Sequence, residues 1–160
     1  MGDAWRRGIL IRFALFAVAV AIIYFEDRRS GSRIAFQAPI HSIPLGILGD
    51  ILCAAGVAFA IWARVHLGRN WGMPMTLREG HELVTSGPYA LVRHPIYTGF
   101  LLAMLGSAFA VDPYWIIIFV LAGIYFICSA RTEEKAMVKQ FPGEYPAYMK
   151  RTKMLIPFVL

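Results

Sequence analysis

The sequence predicts an all-α integral membrane protein, a helical bundle of about four transmembrane helices that carries a small cytoplasmic cap. Of its 160 residues, 58% are hydrophobic and only 16% are charged, whereas soluble domains average about 45–50% and about 25%. The mean hydropathy is +0.57, and the apolar residues form long runs flanked by basic ones. A single domain of this length has too little interior to hide so much apolar surface, so the excess is expected to face lipid. Disordered chains, secreted disulfide scaffolds and most soluble enzymes are thereby excluded.

The apolar runs predict four spans, at 8–25, 44–65, 96–111 and 114–130. The first resembles a signal peptide, but no small-residue cleavage site follows it, so we expect a retained anchor. The second would form about 33 Å of helix, enough to cross a bilayer with tilt. Asp112-Pro113 separates the last two spans and predicts the tight turn of a helical hairpin, because proline lacks a backbone donor and disfavours helix before it.

The basic residues predict the orientation of these spans. With four spans, Arg28, Arg29 and Arg33 fall on one side of the membrane, and the other thirteen of the sixteen Lys and Arg fall on the opposite side. The positive-inside rule then places both termini and the segment 66–95 in the cytoplasm. We expect the membrane to be a bacterial inner membrane. The net charge of +6 is therefore interpreted as a topology signal, and no nucleic-acid partner is expected.

Small residues recur at helical spacing in the third span. Gly99, Ala103 and Ser107 lie on one line, with Gly106 and Ala110 beside it. Such lines let two helix backbones approach closely in lipid, so they predict helix packing. Helix packing is the preferred interpretation, but the line permits a dimer as easily as packing within the chain, so the oligomeric state stays open.

Most of the polar chemistry falls in two cytoplasmic stretches, 64–97 and 131–160. Together they concentrate Arg, His, Glu and Tyr on one face of the membrane, and the aromatic residues of the tail need burial, so we expect the two stretches to pack into one cap. Pro95 predicts the start of a helix, with His94 just before it and Tyr97 in its first turn. By itself His94 is as consistent with a satisfied interfacial histidine as with a functional one. No His-x-x-His or Cys-x-x-Cys spacing exists, so no metal site is expected.

These motifs resemble the isoprenylcysteine carboxyl methyltransferase family, which belongs with the integral-membrane methyltransferases that include phospholipid methyltransferases. The resemblance covers about ninety residues, from Leu67 to Pro157. The segments that carry it, in order, are His81-x-Leu83-Val84-Thr85-x-Gly87-Pro88-Tyr89, Arg93-His94-Pro95-x-Tyr97-x-Gly99, Arg131-x-Glu133-Glu134 and Phe141 to Tyr145 with Tyr148. Ser129 stands where family members often carry a second basic residue.

The resemblance implies S-adenosyl-L-methionine as the methyl donor, held by one domain of residues 1–160 through its segments 66–97 and 131–157. The chain has no Gly-x-Gly, which independently excludes a soluble Rossmann-type core. Glu133 or Glu134 would hold a cationic or ribose part of the cofactor. The implied cofactor-binding residues are His81, Leu83, Val84, Gly87, Tyr89, Arg93, His94, Pro95, Tyr97, Glu133, Glu134 and Tyr145.

The implied catalytic residues are Arg131, Glu134 and His94. Arg131 would face the acceptor and orient a carboxylate through a fork of hydrogen bonds. A carboxylate is already ionised near neutral pH and needs no general base, whereas an amine acceptor would need deprotonation by Glu134 or His94.

The function expected from this resemblance is carboxyl O-methylation of an isoprenylcysteine-like or other small lipophilic acid that enters from the bilayer. Membrane lipids are expected to surround the protein. Two alternatives remain open. Some sterol reductases show a similar His-Pro-x-Tyr segment, which would make the chain a membrane reductase with a nicotinamide cofactor. A non-enzymatic membrane scaffold would bind neither cofactor.

Overall fold

A computed structural model of the chain describes residues 42–68, 82–110 and 115–159. These residues form four α-helices, α1 (Ile43–Leu67), α2 (Pro95–Ala110), α3 (Trp115–Gln140) and α4 (Glu144–Arg151), with a short 3-10 helix at Gly87–Ala90. Within them, the β-type pairing consists of an isolated parallel bridge between Val92 and Lys153. The predicted all-α membrane fold class is confirmed. The predicted first span, the Asp112-Pro113 turn and His81 lie outside the described residues.

Helix α1 begins where the sequence supplies a start signal. Ser42 has an extended backbone and its side chain accepts a hydrogen bond from the Leu45 amide at 3.4 Å, while Pro44 occupies the first turn. Both features are favourable at a helix N-terminus. The 25 residues of α1 extend about 37 Å, so α1 is long and apolar enough to cross a membrane, as is α3. Helix α2 has 16 residues and extends only about 24 Å.

Helices α1 and α2 pack in antiparallel contact through their glycines. A Cβ added at Gly49 would lie 2.5 Å from the Ala110 amide nitrogen, and one at Gly56 would lie 2.5 Å from that of Ala103. At these distances no side chain fits between the two backbones, so they touch directly. The small-residue line predicted in the third span is therefore occupied by α1 of the same chain, which confirms the prediction of helix packing.

Helix α3 continues ten residues past the predicted end of the fourth span. The sequence placed that end at Ala130, because Arg131 opens a charged run, but the helix ends at Gln140. Lys and Glu are good helix formers, so a change from apolar to charged residues ends the membrane-embedded part without ending the helix. Glu133 and Glu134 consequently lie on a rigid rod that projects beyond the apolar segment.

The distribution of residue sizes is that of a membrane protein. The buried positions of the helices are mostly small: Gly49, Gly56, Ala60, Ala63, Gly99, Gly106, Ala108, Ala122 and Ala130. The large side chains point outwards, among them Ile47, Ile51, Ile61, Val65, Phe100, Ile117, Val120 and Ile124. Large apolar side chains on the outside and small ones inside suit lipid as the surrounding solvent, because close helix approach then drives association.

The loop before α2 and the tail after α3 form one cap, as the sequence predicts for these stretches. The Arg93 amide donates to the Lys153 carbonyl at 2.8 Å, and the His94 amide donates to Met154 at 3.0 Å. The Tyr148 hydroxyl donates to the Tyr89 carbonyl at 2.5 Å in a buried bond. Backbone and side-chain bonds together therefore fasten the tail to the segment that leads into α2.

Candidate functional site

The site is centred on His94, whose ring lies between two adjacent glutamates of α3. Its Nδ1 is 3.6 Å from an oxygen of Glu133, and its Nε2 is 3.4 Å from an oxygen of Glu134. Neighbouring residues on a helix point about 100° apart, so both carboxylates reach the same ring from different sides. Only 10% of the His94 side chain is exposed, and its Nε2 is buried without a hydrogen bond, because the contact with Glu134 lacks the required geometry.

The two glutamates differ in environment. Glu134 has 7% of its side chain exposed and accepts a 2.6 Å charge-assisted hydrogen bond from Nε of Arg93. Glu133 has 28% of its side chain exposed and accepts a hydrogen bond from the Tyr97 hydroxyl. The charge of Glu134 is therefore already paired inside the protein, whereas Glu133 keeps a face open to a ligand.

Arg93 joins the site to the tail. Besides its pairing with Glu134, its Nη1 donates to the Met149 carbonyl at 3.3 Å and to the carbonyl of Thr152. Its side chain is 8% exposed. One buried guanidinium therefore links the start of α2, the end of α3 and the backbone around the end of α4. Nothing in the residue pattern marks Met149 or Thr152, because they take part through backbone carbonyls.

An aromatic row connects this polar centre with the apolar part of the bundle. The His94 and Tyr97 rings are parallel at 5.5 Å, and Tyr97 stacks on Phe126 at 4.6 Å. Phe100 continues the row at 6.3 Å from Phe126. The motifs in the sequence do not include Phe126, although it lies seven residues, or two helical turns, before Glu133 and hence on the same face of α3.

The tyrosines of the cap act as neutral groups. Burial raises the pKa of Tyr89 to about 12, and burial also raises the pKa values of Tyr145 and Tyr148. All three hydroxyls therefore keep their protons at ordinary pH, and Tyr148 uses its proton in the bond to the Tyr89 carbonyl. Tyr145 is also buried, and it is close enough to Glu134 and Arg93 for their charges to affect its pKa.

Gly87 holds the turn that leads into the site. Its φ is +58°, and a Cβ there would lie 2.7 Å from the ring of His66 at the end of α1. The Nε2 of His66 is also 3.0 Å from the Ser86 hydroxyl. Both the left-handed backbone and the ring contact favour glycine. Gly87 thus lets the end of α1 dock on the loop, a contact that the sequence does not indicate.

The structure brings together most of the described candidate residues. His94, Tyr97, Glu133, Glu134 and Arg93 contact one another directly, as described above. Pro95 is fully buried at the first position of α2, while Leu83 and Val84 are half-buried in the extended segment before Gly87. Arg131 is exposed on α3, one turn before Glu134.

The fold and the site define a helical membrane protein with a histidine–carboxylate centre at the base of its cap. The model of the isoprenylcysteine carboxyl methyltransferase (ICMT) family matches residues 49–139. This match covers more than half of the chain and includes His94, Tyr97, Glu133 and Glu134. The chain therefore belongs to that family.

Individual relatives agree with the family assignment. Protein-S-isoprenylcysteine O-methyltransferase B of Arabidopsis thaliana is 33% identical over 115 residues, covering 71% of this chain and 56% of its own length. The cobalt-zinc-cadmium resistance protein CzcN of Cupriavidus metallidurans is 29% identical over 156 residues, covering 96% and 62%. The solved structure of the eukaryotic intramembrane Ras methyltransferase ICMT superposes with a TM-score of 0.70 at 23% identity, covering 92% of this chain and 52% of that one. The chain thus spans between about half and three fifths of the length of these relatives.

Proposed function

We propose that the chain is an integral membrane methyltransferase that uses S-adenosyl-L-methionine and methylates the carboxylate of an isoprenylcysteine-like or other small lipophilic acid. Its membrane would be a bacterial inner membrane, with both termini and the cap in the cytoplasm. Family membership supports the class of reaction. The observation that carries the proposal is the buried ring of His94, which lies between the carboxylates of Glu133 and Glu134 and whose Nε2 makes no hydrogen bond.

The residues present fit this cofactor, which supplies a methyl group on a sulfonium cation. The open face of the Glu133 carboxylate suits a positive charge, and the stacked rings of Tyr97 and Phe126 attract cations through their π faces. The buried Nε2 of His94 lies 3.4 Å from Glu134 without a hydrogen bond, and a histidine ring nitrogen can donate or accept one. The residues proposed to line the cofactor are His81, Leu83, Val84, Gly87, Tyr89, Arg93, His94, Pro95, Tyr97, Glu133, Glu134 and Tyr145.

Among the two glutamates, we assign the direct contact with the cofactor to Glu133. Glu134 is buried and paired with Arg93, so its contribution is to hold His94 and the end of α3 in place. In this assignment Glu134 and Arg93 act mainly as positioning residues. A base would not be needed for an acid acceptor, which is ionised near neutral pH.

The acceptor would enter the site from the bilayer, with its carboxylate at the level of the membrane surface. Arg131 is exposed at the level where α3 leaves its apolar segment, and its guanidinium offers a fork of donors to a carboxylate. The aromatic row from Tyr97 to Phe100 provides an apolar path for a lipophilic chain. Alignment of the acceptor and the cofactor could lower the activation barrier of methyl transfer by about 7–11 kcal/mol. This contribution requires that the cap and the bundle hold the two reactants together.

Cofactor binding tests the proposal directly. We expect the protein in nanodiscs to bind S-adenosylmethionine and S-adenosylhomocysteine saturably in calorimetry and not to bind NADPH. Glu133→Gln should weaken both interactions about tenfold or more, since a charge-assisted hydrogen bond contributes about 1.5–3 kcal/mol. Glu144→Gln, which removes an exposed glutamate of α4, is the control and should bind as the wild type does.

Transfer of a labelled methyl group tests the reaction itself. We expect label to pass from S-adenosylmethionine to an S-farnesylcysteine derivative with a free carboxylate, and not to the matching amide. Saturable binding of NADPH in place of the adenosyl compounds would favour the reductase alternative. Failure to bind any of these compounds would favour a scaffold and would overturn the proposal.

A further inference from the structure

We propose that residues 150–159 form a surface anchor that binds anionic phospholipid headgroups and inserts its apolar end into the membrane interface. This anchor segment requires only the membrane fold and does not depend on the proposed methyl transfer. It has two parts. Lys150, Arg151 and Lys153 are exposed cations, and Ile156 to Val159 are exposed apolar residues.

The direction of the segment is fixed by its pairing with the chain that enters α2. The bridge between Val92 and Lys153 is parallel, so the tail runs in the same direction as residues 92–94. Those residues lead directly into α2, which enters the apolar bundle. The tail from Lys153 onward therefore also heads towards the membrane.

A second contact fixes the depth at which the segment continues. The Thr98 hydroxyl, in the first turn of α2, donates to the Leu155 carbonyl at 2.7 Å. Leu155 itself is buried, so it marks the last part of the tail that the protein covers. The next four residues form a turn next to the start of α2, which the Val159 amide closes by donating to the Ile156 carbonyl at 3.2 Å.

The exposed residues match the order of polarity in the cytoplasmic half of a bilayer. The cations come first, at the level of the cap, and the turn at 156–159 then presents its apolar side chains near the level where α2 starts. Phe158 is 94% exposed and Val159 is 72% exposed, which is unfavourable in water and favourable at a lipid interface. Basic side chains near an anionic leaflet gain about 1 kcal/mol each, so charge and direction both select an anionic membrane surface.

The position of the anchor can be measured with a spin label at Phe158→Cys in a Cys53→Ala/Cys128→Ala background. In nanodiscs that contain phosphatidylglycerol, we expect the label to collide more with oxygen than with a water-soluble nickel complex. The control label at Ala147→Cys, on the exposed side of α4, should collide more with nickel. An aqueous label at position 158 in every membrane would overturn the proposal. Strong dipolar coupling between labels of two copies would overturn it too, because a second copy would then cover the segment.

The headgroup preference can be measured with the same label by neutralising the cations Lys150, Arg151 and Lys153 to Gln. The ratio of immersed to aqueous label in phosphatidylglycerol should fall about fivefold for each cation removed, and it should not change in phosphatidylcholine alone. The control Lys135→Gln/Lys139→Gln removes two exposed cations of α3 and should leave the ratio unchanged. An equal ratio in anionic and zwitterionic membranes for the wild type would contradict the proposed headgroup selection.

Discussion

The neighbouring glutamates of α3 show that adjacent positions on one helix can lie in different environments. Glu134 points into the protein, where Arg93 pairs with it, whereas Glu133 retains an open face beside Tyr97. The sequence presents two identical residues and leaves open which one meets the cofactor. Burial distinguishes them and supports the proposed contact of the cofactor with Glu133, because a carboxylate already bonded to a guanidinium has less to gain from a second cation.

At the residue scale, we predict that Glu134→Gln lowers the free energy of unfolding by about 3 kcal/mol, because breaking a buried ion pair leaves the partner charge unpaired. That partner is Arg93, which is equally buried. Reversible denaturation in mixed micelles measures the change. Glu144→Gln, at an exposed position, should shift stability by less than about 0.5 kcal/mol. Equal stability of the two variants would show that the pair does not hold the cap.

We also predict that Arg131→Ala raises the KM for a carboxylate acceptor about tenfold or more and leaves the Kd for S-adenosylmethionine unchanged. A hydrogen bond to a charged group contributes about 1.5–3 kcal/mol, and Arg131 is exposed, whereas the Glu134 pair with Arg93 is buried. Steady-state kinetics with varied acceptor, together with calorimetry, separates the two quantities. Arg131→Lys should recover only part of the loss, since lysine lacks the planar fork. Weaker cofactor binding with an unchanged KM would contradict the acceptor role.

At the scale of the elements, the glycines between α1 and α2 provide a prediction with an internal control. Gly56→Ala should destabilise the protein by about 1–3 kcal/mol, the usual cost of overpacking, because its Cβ would lie 2.5 Å from the Ala103 amide nitrogen. Gly46→Ala, in the same helix with nothing within 4 Å, should be neutral or stabilise by up to about 1 kcal/mol. Thermal unfolding in identical detergent compares them. A similar loss of stability in both variants would mean that the change reflects the helix propensity of the backbone and not the contact between α1 and α2.

The helices could be predicted from the sequence to different degrees. Apolar length located α1 and α2 within a few residues, since a span must cover the hydrocarbon thickness. The end of α3 could not be found in this way, because hydropathy reports the solvent around a helix and Glu, Lys and Arg continue a helix outside lipid. The small-residue line around Gly99 predicted a close contact, but its partner, the face of α1 with Gly49 and Gly56, emerges only from the structure.

At the scale of the whole molecule, the cap is held by contacts that join distant parts of the chain. The loop segment and the tail were expected to meet because their aromatic residues need burial, and the described parts do meet. The particular bonds could not be predicted. Arg93 bonds to the carbonyls of Met149 and Thr152, and backbone carbonyls are the same in every residue type. The family motifs therefore contain the residues that cluster around His94, whereas the connection of this cluster to the tail is visible only in the structure.

This connection predicts that Arg93→Gln releases the tail. The two carbonyls that Arg93 binds bracket Lys150 and Arg151, and Lys153 follows them, so three trypsin sites lie in the fastened segment. Loss of hydrogen bonds to a charged group, about 1.5–3 kcal/mol, should raise cleavage at these sites about tenfold or more, since proteolysis follows the population of the opened state when closing is fast.

Mass spectrometry of the tryptic fragments distinguishes release of the tail from unfolding of the whole protein. Cleavage in Arg93→Gln should increase at the tail sites and not after Arg131 or Lys135, which lie on the body of α3. The control Glu144→Gln changes an exposed side chain of α4 and leaves every trypsin site in place, so it should leave the fragment pattern unchanged. If Arg93→Gln is cleaved at the wild-type rate, the tail is held by its backbone pairing with residues 92–94 and by the Tyr148 bond. Arg93 then acts only as the ion-pair partner of Glu134.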